Sequence, residues 1–298
     1  MKKVITLLAL ILYCNISTNA QSKVVVNPTE FIGKTILSKI EIKNKKLDAE
    51  KTELEVGAVG SKLSVGKGVL SESIWRTISF SNKNDRLMAE RKVKRVLRQT
   101  ASKMGISTFD SENRFERDPM ATSQGTNIDP FIDKAIISEF DLKSLKFIEN
   151  SSSSTNFTSI WKPKVPFLEK DEEVAGLFIY HLPEKITVGV TWTDSTETES
   201  IIEKRNFTIK EISNEKIIVQ FINSKIPGNK PNESKSNNNE VKGSFGSSLY
   251  AGEMIVDSKN GFIYEMNYRL ESRVKLNLMG KETRFDVDSD VTIKNEVK

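Results

Sequence analysis

The sequence is short of the residues on which most enzymes and cross-linked scaffolds rely. Among its 298 residues there is one cysteine, Cys14, and one histidine, His181. One cysteine makes no intramolecular disulfide, and neither a cysteine-ligated zinc set nor a two-histidine metal site can be assembled from this chain. Apolar residues are scarce too, at 37%, low for a globular chain but above the disordered range. No apolar run is long enough to cross a bilayer as a helix. No Gly-x-Ser-x-Gly turn accompanies the histidine, so the serine-hydrolase elbow is missing as well. Much common enzymology is thereby excluded, and the chain points to no particular reaction.

What is present begins with the N-terminus. Lys2 and Lys3 precede an apolar run from Val4 to Cys14, and Asn15, Ser17 and Asn19 lead to Ala20. A short basic stretch, a brief apolar stretch and small residues before a cut form a secretory signal peptide. Residues 1–20 are read as that signal, with cleavage after Ala20. The rival is a lipoprotein acylated on Cys14, but a lipobox has a small residue before its cysteine, and Tyr13 stands there. Loss of Lys2 and Lys3 takes the net charge from +5 to +3, and loss of Cys14 leaves no cysteine. Such an exported chain is expected to fold without disulfide staples and to carry no transmembrane segment. Its interleaved charges and its export argue against nucleic acid as a partner.

The hydrophobic pattern is mostly of period two. Ile36, Ser38, Ile40 and Ile42 alternate with Thr35, Leu37, Lys39, Glu41 and Lys43, which predicts a half-buried strand. Ile74, Thr77, Ile78 and Phe80 predict another, ending at Asn82-Lys83-Asn84-Asp85. In the C-terminal third, strands are predicted over Ile217–Ile222, Glu253–Asp257, Phe262–Leu270, Val274–Leu278 and Arg284–Ile293. Between the second and third of these lies Ser258-Lys259-Asn260-Gly261, whose Asn-Gly suits a tight hairpin. One helix is predicted around Phe167, Leu168, Val174, Ala175 and Phe178, with acids in its early turns and Leu182-Pro183 ending it. Arg86–Lys103 fits either element, and its Val93, Val96, Leu97 and Ala101 spacing slightly favours a helix. Ser151–Asn156 reads as a linker and Pro227–Gly243 as a loop between strands. Phe140-Asp141 followed by Phe147-Ile148 echoes Val256-Asp257 followed by Phe262-Ile263, so two similar halves or a chance likeness of hairpins are both open.

Phe109-Asp110-Ser111-Glu112-Asn113, followed by Leu182-Pro183-Glu184-Lys185 and Val188-Gly189-Val190-Thr191-Trp192, resembles an uncharacterised secreted family found mainly in Bacteroidetes, the domain-of-unknown-function 6263 kind. Val190 stands where that family usually has an aspartate. The resemblance implies a β-rich exported protein, makes Arg86–Lys103 a strand, and brings no catalytic residues. A remoter likeness, in element order alone, is to periplasmic lipoprotein carriers that wrap an open sheet around a lipid cavity.

Individual residues offer several candidates, each with a plainer alternative. His181 sits near the end of the predicted helix, where a histidine complements the dipole. Asp286, Asp288 and Asp290 have the spacing that opens a calcium loop, but Val291 and Val297 occupy the glycine and glutamate positions, so a strand with an acidic outer face fits better. Gly57–Gly68 contains Gly66-Lys67, yet its spacing breaks the phosphate-loop pattern and Gly68 replaces the hydroxyl residue; a flexible turn is expected, and no cofactor. The basic run Arg86–Arg98 suits acidic lipid or, more simply, a solvated face. Asp194, Glu197, Glu199 and Glu203 are expected to face solvent or to pair with that run. A carboxylate pair for glycoside hydrolysis is not singled out by any spacing. Trp75, Trp161 and Trp192 could form a sugar- or lipid-facing platform, though sheet packing explains them as well.

The expected fold is mainly β: antiparallel meander sheets in two similar halves with one or two packing helices, and an open curved sheet like that of the lipoprotein carriers. The expected organisation is a signal peptide at 1–20, an N-terminal β-rich half at 21–150, a Ser-rich linker at 151–165, and a C-terminal helix plus meander at 166–298. No catalytic, cofactor-binding or metal residue is assigned. The expected role is non-catalytic, in the periplasm or outside the cell. It is either to bind or carry an apolar ligand such as a lipid, or to act as a structural or interaction module with another envelope component. The third alternative is a hydrolase that uses carboxylates alone.

Overall fold

The computed structural model describes residues 28–47, 53–56, 61–64, 69–102, 105–141, 147–150, 177–178, 182–197, 201–228, 234–235, 241–278 and 281–298. The expected signal peptide, Cys14, the Ser151–Asn156 linker, Trp161, Glu199, His181 and most of the helix expected near 167–178 lie outside these residues. Six strands, a helix and two further strands make up the first part: β1 (Thr35–Leu47), β2 (Glu53–Val56), β3 (Ser61–Ser64), β4 (Val69–Lys83), β5 (Arg86–Ser102), β6 (Gly105–Asp110), α1 (Pro119–Ile128), β7 (Ala135–Asp141) and β8 (Phe147–Asn150). The second part is β9 (Thr191–Glu197), β10 (Ile201–Ile212), β11 (Lys216–Pro227), β12 (Ser234–Lys235), β13 (Val241–Asp257), β14 (Ile263–Leu278) and β15 (Lys281–Val297).

The fold is mainly β, as the alternation requires, and its two runs of strands join in one antiparallel sheet. The order is β8-β7-β5-β4-β1-β15-β14-β13-β11-β10-β9, open at both ends rather than closed into a barrel. The seam is β1 against β15, running from Ile36 opposite Val297 to Ile42 opposite Val291. β6 adds to the end of β5 and β12 to β13, while β2 and β3 form a separate hairpin. Ser61–Ser64, within the stretch expected to be a flexible turn, is thus a strand opposite Glu53–Val56.

One face of the sheet is buried. On β4 it takes Ile74, Arg76, Ile78 and Phe80, and on β1 it takes Ile36, Ser38 and Ile40. Register breaks at Asn44/Lys46, Val69/Ser71, Trp75/Arg76, Ile209/Glu211 and Phe245/Ser247 mark bulges that bend the long strands. One of them settles the ambiguous segment. β5 is a strand, and Trp75 and Arg76 of β4 face Arg95 and Val93, so Lys94 is an extra residue. Val93 and Val96 therefore both point inward, three residues apart, which mimics helical spacing in the sequence.

Turn chemistry also differs from expectation in one place. Asn84 and Asp85 both have positive φ, at 52° and 59°, and join β4 to β5 in the tight two-residue turn that the strand twist favours. The Asn260-Gly261 hairpin is real but wider. Only Gly261 has positive φ, the Asp257 carboxylate accepts from the Lys259 and Asn260 amides, and Gly261 N–H donates to the Asp257 carbonyl. The aspartate, which bonds its own backbone two and three residues on, sets this turn.

Helix α1 has no counterpart in the hydrophobic pattern: among its described residues, Ala121 and Ile128 are the buried apolar side chains. It is fixed by its start: Asp118 accepts the Ala121 amide at 2.8 Å, and Pro119 follows at the first helical position. Ser107 of β6 donates to the same carboxylate at 2.9 Å, tying the helix to the sheet.

Two apolar clusters fill the buried face. A smaller one closes the end of the sheet where β1 begins, around Phe31, Phe80, Phe178 and Phe262. Phe178, bridged to Phe262 through the backbone, packs edge-on against Phe31 and Phe262 at 5.2 and 5.7 Å. Each such buried ring contributes about 1.5–3 kcal/mol. Ser38, Arg76 and Asn295 form a buried polar layer between this end and the larger cluster, with Arg76 donating to Ser38 Oγ at 2.9 Å.

Candidate functional site

The strand registers order the buried face of β9 to β14 into cross-strand rows. Ile209, Val219, Met254 and Met266 stand opposite one another, and the row continues through Ile293 and Ile40 to Ile74. The next row is aromatic: Trp192, Phe207, Phe221, then Gly252 and Tyr268. Trp192 stacks on Phe207 with centroids 5.0 Å apart and planes at 16°. Gly252 is required there, because a Cβ would lie 2.0 Å from the Asn267 carbonyl oxygen and 2.5 Å from Tyr268 Cβ. Tyr268 leans towards Phe221 and Tyr250, with centroids 6.1 and 6.2 Å away.

Beyond the aromatic row the same face turns polar. Asp194, Arg205, Asn223 and Tyr250 form one row, and Glu203, Lys225, Ser248 and Ser272 the next. Arg205 donates to Asp194 at 2.8 Å through Nη1 and to Glu203 at 3.1 Å through Nη2. Asn223 donates to the other Glu203 oxygen at 2.7 Å, and Lys225 Nζ lies 3.4 Å from Oε2. Ser248 and Ser272 share a hydroxyl hydrogen bond of 2.8 Å. Arg205 Nε is buried and has no hydrogen-bond partner among the described residues.

The electrostatics follow from this packing. Burial opposes charge on Glu203, but the bonds from Arg205 and Asn223 and the Lys225 ammonium outweigh it, and its pKa lies below the ordinary carboxylate value. Burial likewise opposes charge on Arg205, and Glu203 and Asp194 overcome it, raising its pKa. Burial raises the Tyr250 hydroxyl, helped by the Glu203 charge and opposed by the Ser248 bond, and burial raises Tyr268 well above the usual phenol value. The site thus sets acidic and basic side chains in equal number beside hydroxyls. Glu203 is held as an anion, which suits binding and positioning rather than proton donation.

The sequence pattern predicts Glu203, with Asp194, on a solvated face or against the basic run. Instead Glu203 is fully buried and pairs with Arg205 of its own strand, because the inward parity of Ile209 and Phe207 continues through Arg205 to Glu203. The signal was present in that spacing and was obscured by Ile202, Ile222 and Ile226. These put apolar side chains on the outer face, where Ile222 and Ile226 are exposed.

The remaining candidates are dispersed. Glu197 is exposed at the end of β9. Asp288 and Asp290 pair with Arg269 and Lys45 on the outer face of β15, and Asp286 is exposed there. No group of metal-ligating side chains occurs among the described residues. The basic run is charge-compensated along β5: Arg86 meets Glu139, Lys92 meets Glu90, Lys94 meets Asp133, Arg95 meets Asp110, and Arg98 meets Glu72. The two described tryptophans lie on opposite faces. Trp75 is sandwiched outside between Lys39 and Arg95, at 5.1 and 5.0 Å, and Trp192 is inside.

Neither a family model nor a curated protein sequence matches this chain. Among solved structures, an outer membrane channel from Pseudomonas putida F1 is similar at 7% identity over 91% of this chain and 100% of that one. Its TM-score of 0.22 is too low to equate the two folds. No helix among the described residues is long and apolar enough to cross a membrane, which leaves spanning by strands untouched.

Proposed function

We propose that this is a non-catalytic, exported β protein of the cell envelope that binds an amphipathic, lipid-like ligand against the inner face of its sheet. The observation that carries the proposal is the order of the rows. An aliphatic row, an aromatic row and then two polar rows succeed one another along the same face, which is the polarity profile of an acyl chain ending in a head group. Pocket sites of this kind combine an apolar lining with a few placed polar groups. Export is supported by the N-terminal Lys-apolar-Ala20 pattern, and membership of the secreted family that the sequence resembles belongs to the same proposal. A binding role is favoured over carboxylate catalysis because Glu203 and Asp194 share one arginine, and Glu203 is held as an anion.

The test is to purify the full chain, extract it with organic solvent and identify co-purifying lipids by mass spectrometry, alongside titration with N-phenyl-1-naphthylamine, a neutral apolar fluorophore. Enriched single-chain or two-chain lipids and saturable fluorophore binding are expected. An empty extract together with no fluorophore binding refutes the proposal.

A second reading, as an interaction module, is favoured by one feature. Ile222, Ile226 and Leu249 are 39–47% exposed on the outer face of β11 and β13, where Ile226 faces Ile202 across the strands. Association of the full chain into a larger species, abolished by Ile226→Lys, would support that reading.

A further inference from the structure

We propose that the two polar rows hold the head group of a ligand whose head is electrically neutral overall, and that they discriminate against a bare carboxylate head. This rests on the binding reading above and specifies which amphiphile that face accepts. Three features support it. First, the charges of the rows cancel: Arg205 and Lys225 stand against Asp194 and Glu203. Glu72 and Arg98, farther along the same face, are likewise an ion pair. An arriving carboxylate would add an uncompensated charge beside Arg205, whose two terminal nitrogens are already committed, and burying such a charge is costly.

Second, the hydrogen-bonding capacity of the rows suits a polar but uncharged or internally balanced group. Among the described residues Arg205 Nε is an unmatched buried donor, and the Ser248, Ser272 and Tyr250 hydroxyls can each donate or accept. Tyr250 remains protonated because burial raises its pKa. Third, the cluster reaches solvent along one side. The Glu203 side chain is 1% exposed, that of Lys225 17%, and that of Asp194, on terminal strand β9, 38%. Asp194 is thus the solvent-side end of the two polar rows, Arg205 stands next to it, and the aromatic row adjoins them on the same face.

The experiment is competition against N-phenyl-1-naphthylamine bound to the full chain, using palmitate, monopalmitoylglycerol and palmitoyl-lysophosphatidylcholine below their micelle-forming concentrations. The two net-neutral amphiphiles are expected to displace the fluorophore at concentrations about tenfold lower than palmitate. Glu203→Gln, which leaves the rows one positive charge in excess, should erase most of that ratio by strengthening palmitate. Lys225→Met, which leaves one negative charge in excess, should widen it. Equal or tighter competition by palmitate on the wild-type chain overturns this inference while leaving the binding proposal intact. Absence of fluorophore binding overturns both. Because the wild-type ratio is decisive by itself, a variant that fails to fold does not rescue the proposal.

Discussion

Replacing Glu203 by glutamine removes one charge from the most deeply buried ionic group of the inner face and changes its shape little. In the native protein the carboxylate receives Arg205 at 3.1 Å and Asn223 at 2.7 Å, with Lys225 at 3.4 Å. Glutamine keeps an oxygen for one donor but removes the charge that Glu203 sets against Arg205 and Lys225. Breaking a buried pair by removing one partner costs about 3–5 kcal/mol. Asp194 still neutralises the other terminal nitrogen of Arg205, so the lower end, about 3 kcal/mol, is expected. That is a large part of a typical domain's stability of about 5–15 kcal/mol. Asp194→Asn is the control: its side chain is 38% exposed, and a pair so solvated contributes about 1 kcal/mol or less.

Both variants would be measured by urea unfolding of the full chain at pH 7. The pH dependence has a fixed sign. Glu203 has a folded pKa below the ordinary 4.5, so its contribution is fully present above that value and is lost as pH falls through the folded pKa. The gap between wild type and Glu203→Gln should therefore close on acidification below pH 4.5. A Glu203→Gln protein within 1 kcal/mol of wild type at pH 7 (roughly the scale of a surface pair) would refute the assignment. So would a gap that widens in acid.

Other perturbations bear on the fold. Gly252→Ala places a Cβ 2.0 Å from the Asn267 carbonyl oxygen, so β13 and β14 must separate; faster amide exchange along that ladder and a lower urea midpoint are expected. Deleting Lys94 removes the extra residue of the β5 bulge and keeps Val93 and Val96 on the buried face. Cooperative unfolding should survive this change. Deleting Lys92 turns Leu87 and Ala89 outward and should abolish it. Asn84→Val, at φ 52°, should cost about 1–2 kcal/mol and Asn84→Gly nothing measurable. Phe178→Ala, which opens the aromatic end cluster, should cost about 3–5 kcal/mol.

Strand content was legible because Ile36 to Ile42, Ile74 to Phe80 and Phe262 to Leu270 alternate strictly enough for one face to be assigned to the core. The joining of both halves into a single sheet was not, since it depends on Ile36 meeting Val297 across the whole chain length, a pairing that no local pattern encodes. β5 was obscured by its bulge, and α1 by a sequence whose helix rests on the Asp118 cap rather than on an apolar stripe. The polar rows escaped notice for the opposite reason. Their parity is regular, but hydrophobicity inverts along β10 and β11, so buried Glu203 and Asn223 and half-buried Arg205 and Lys225 alternate with exposed Ile222 and Ile226. Polar residues at core-facing positions are costly unless paired, and sites that break the pattern in this way are where function is sought.

The decisive measurement is tryptophan quenching, because the two described tryptophans lie on opposite faces. One variant would keep only Trp192, stacked on Phe207 inside, and another only Trp75, held outside between Lys39 and Arg95. Each is titrated with lysophosphatidylcholine carrying a nitroxide on its acyl chain. Saturable quenching of Trp192 with Trp75 unaffected is the expected result. Quenching of Trp75 with Trp192 spared, or of neither, would contradict a ligand on the inner face of the sheet.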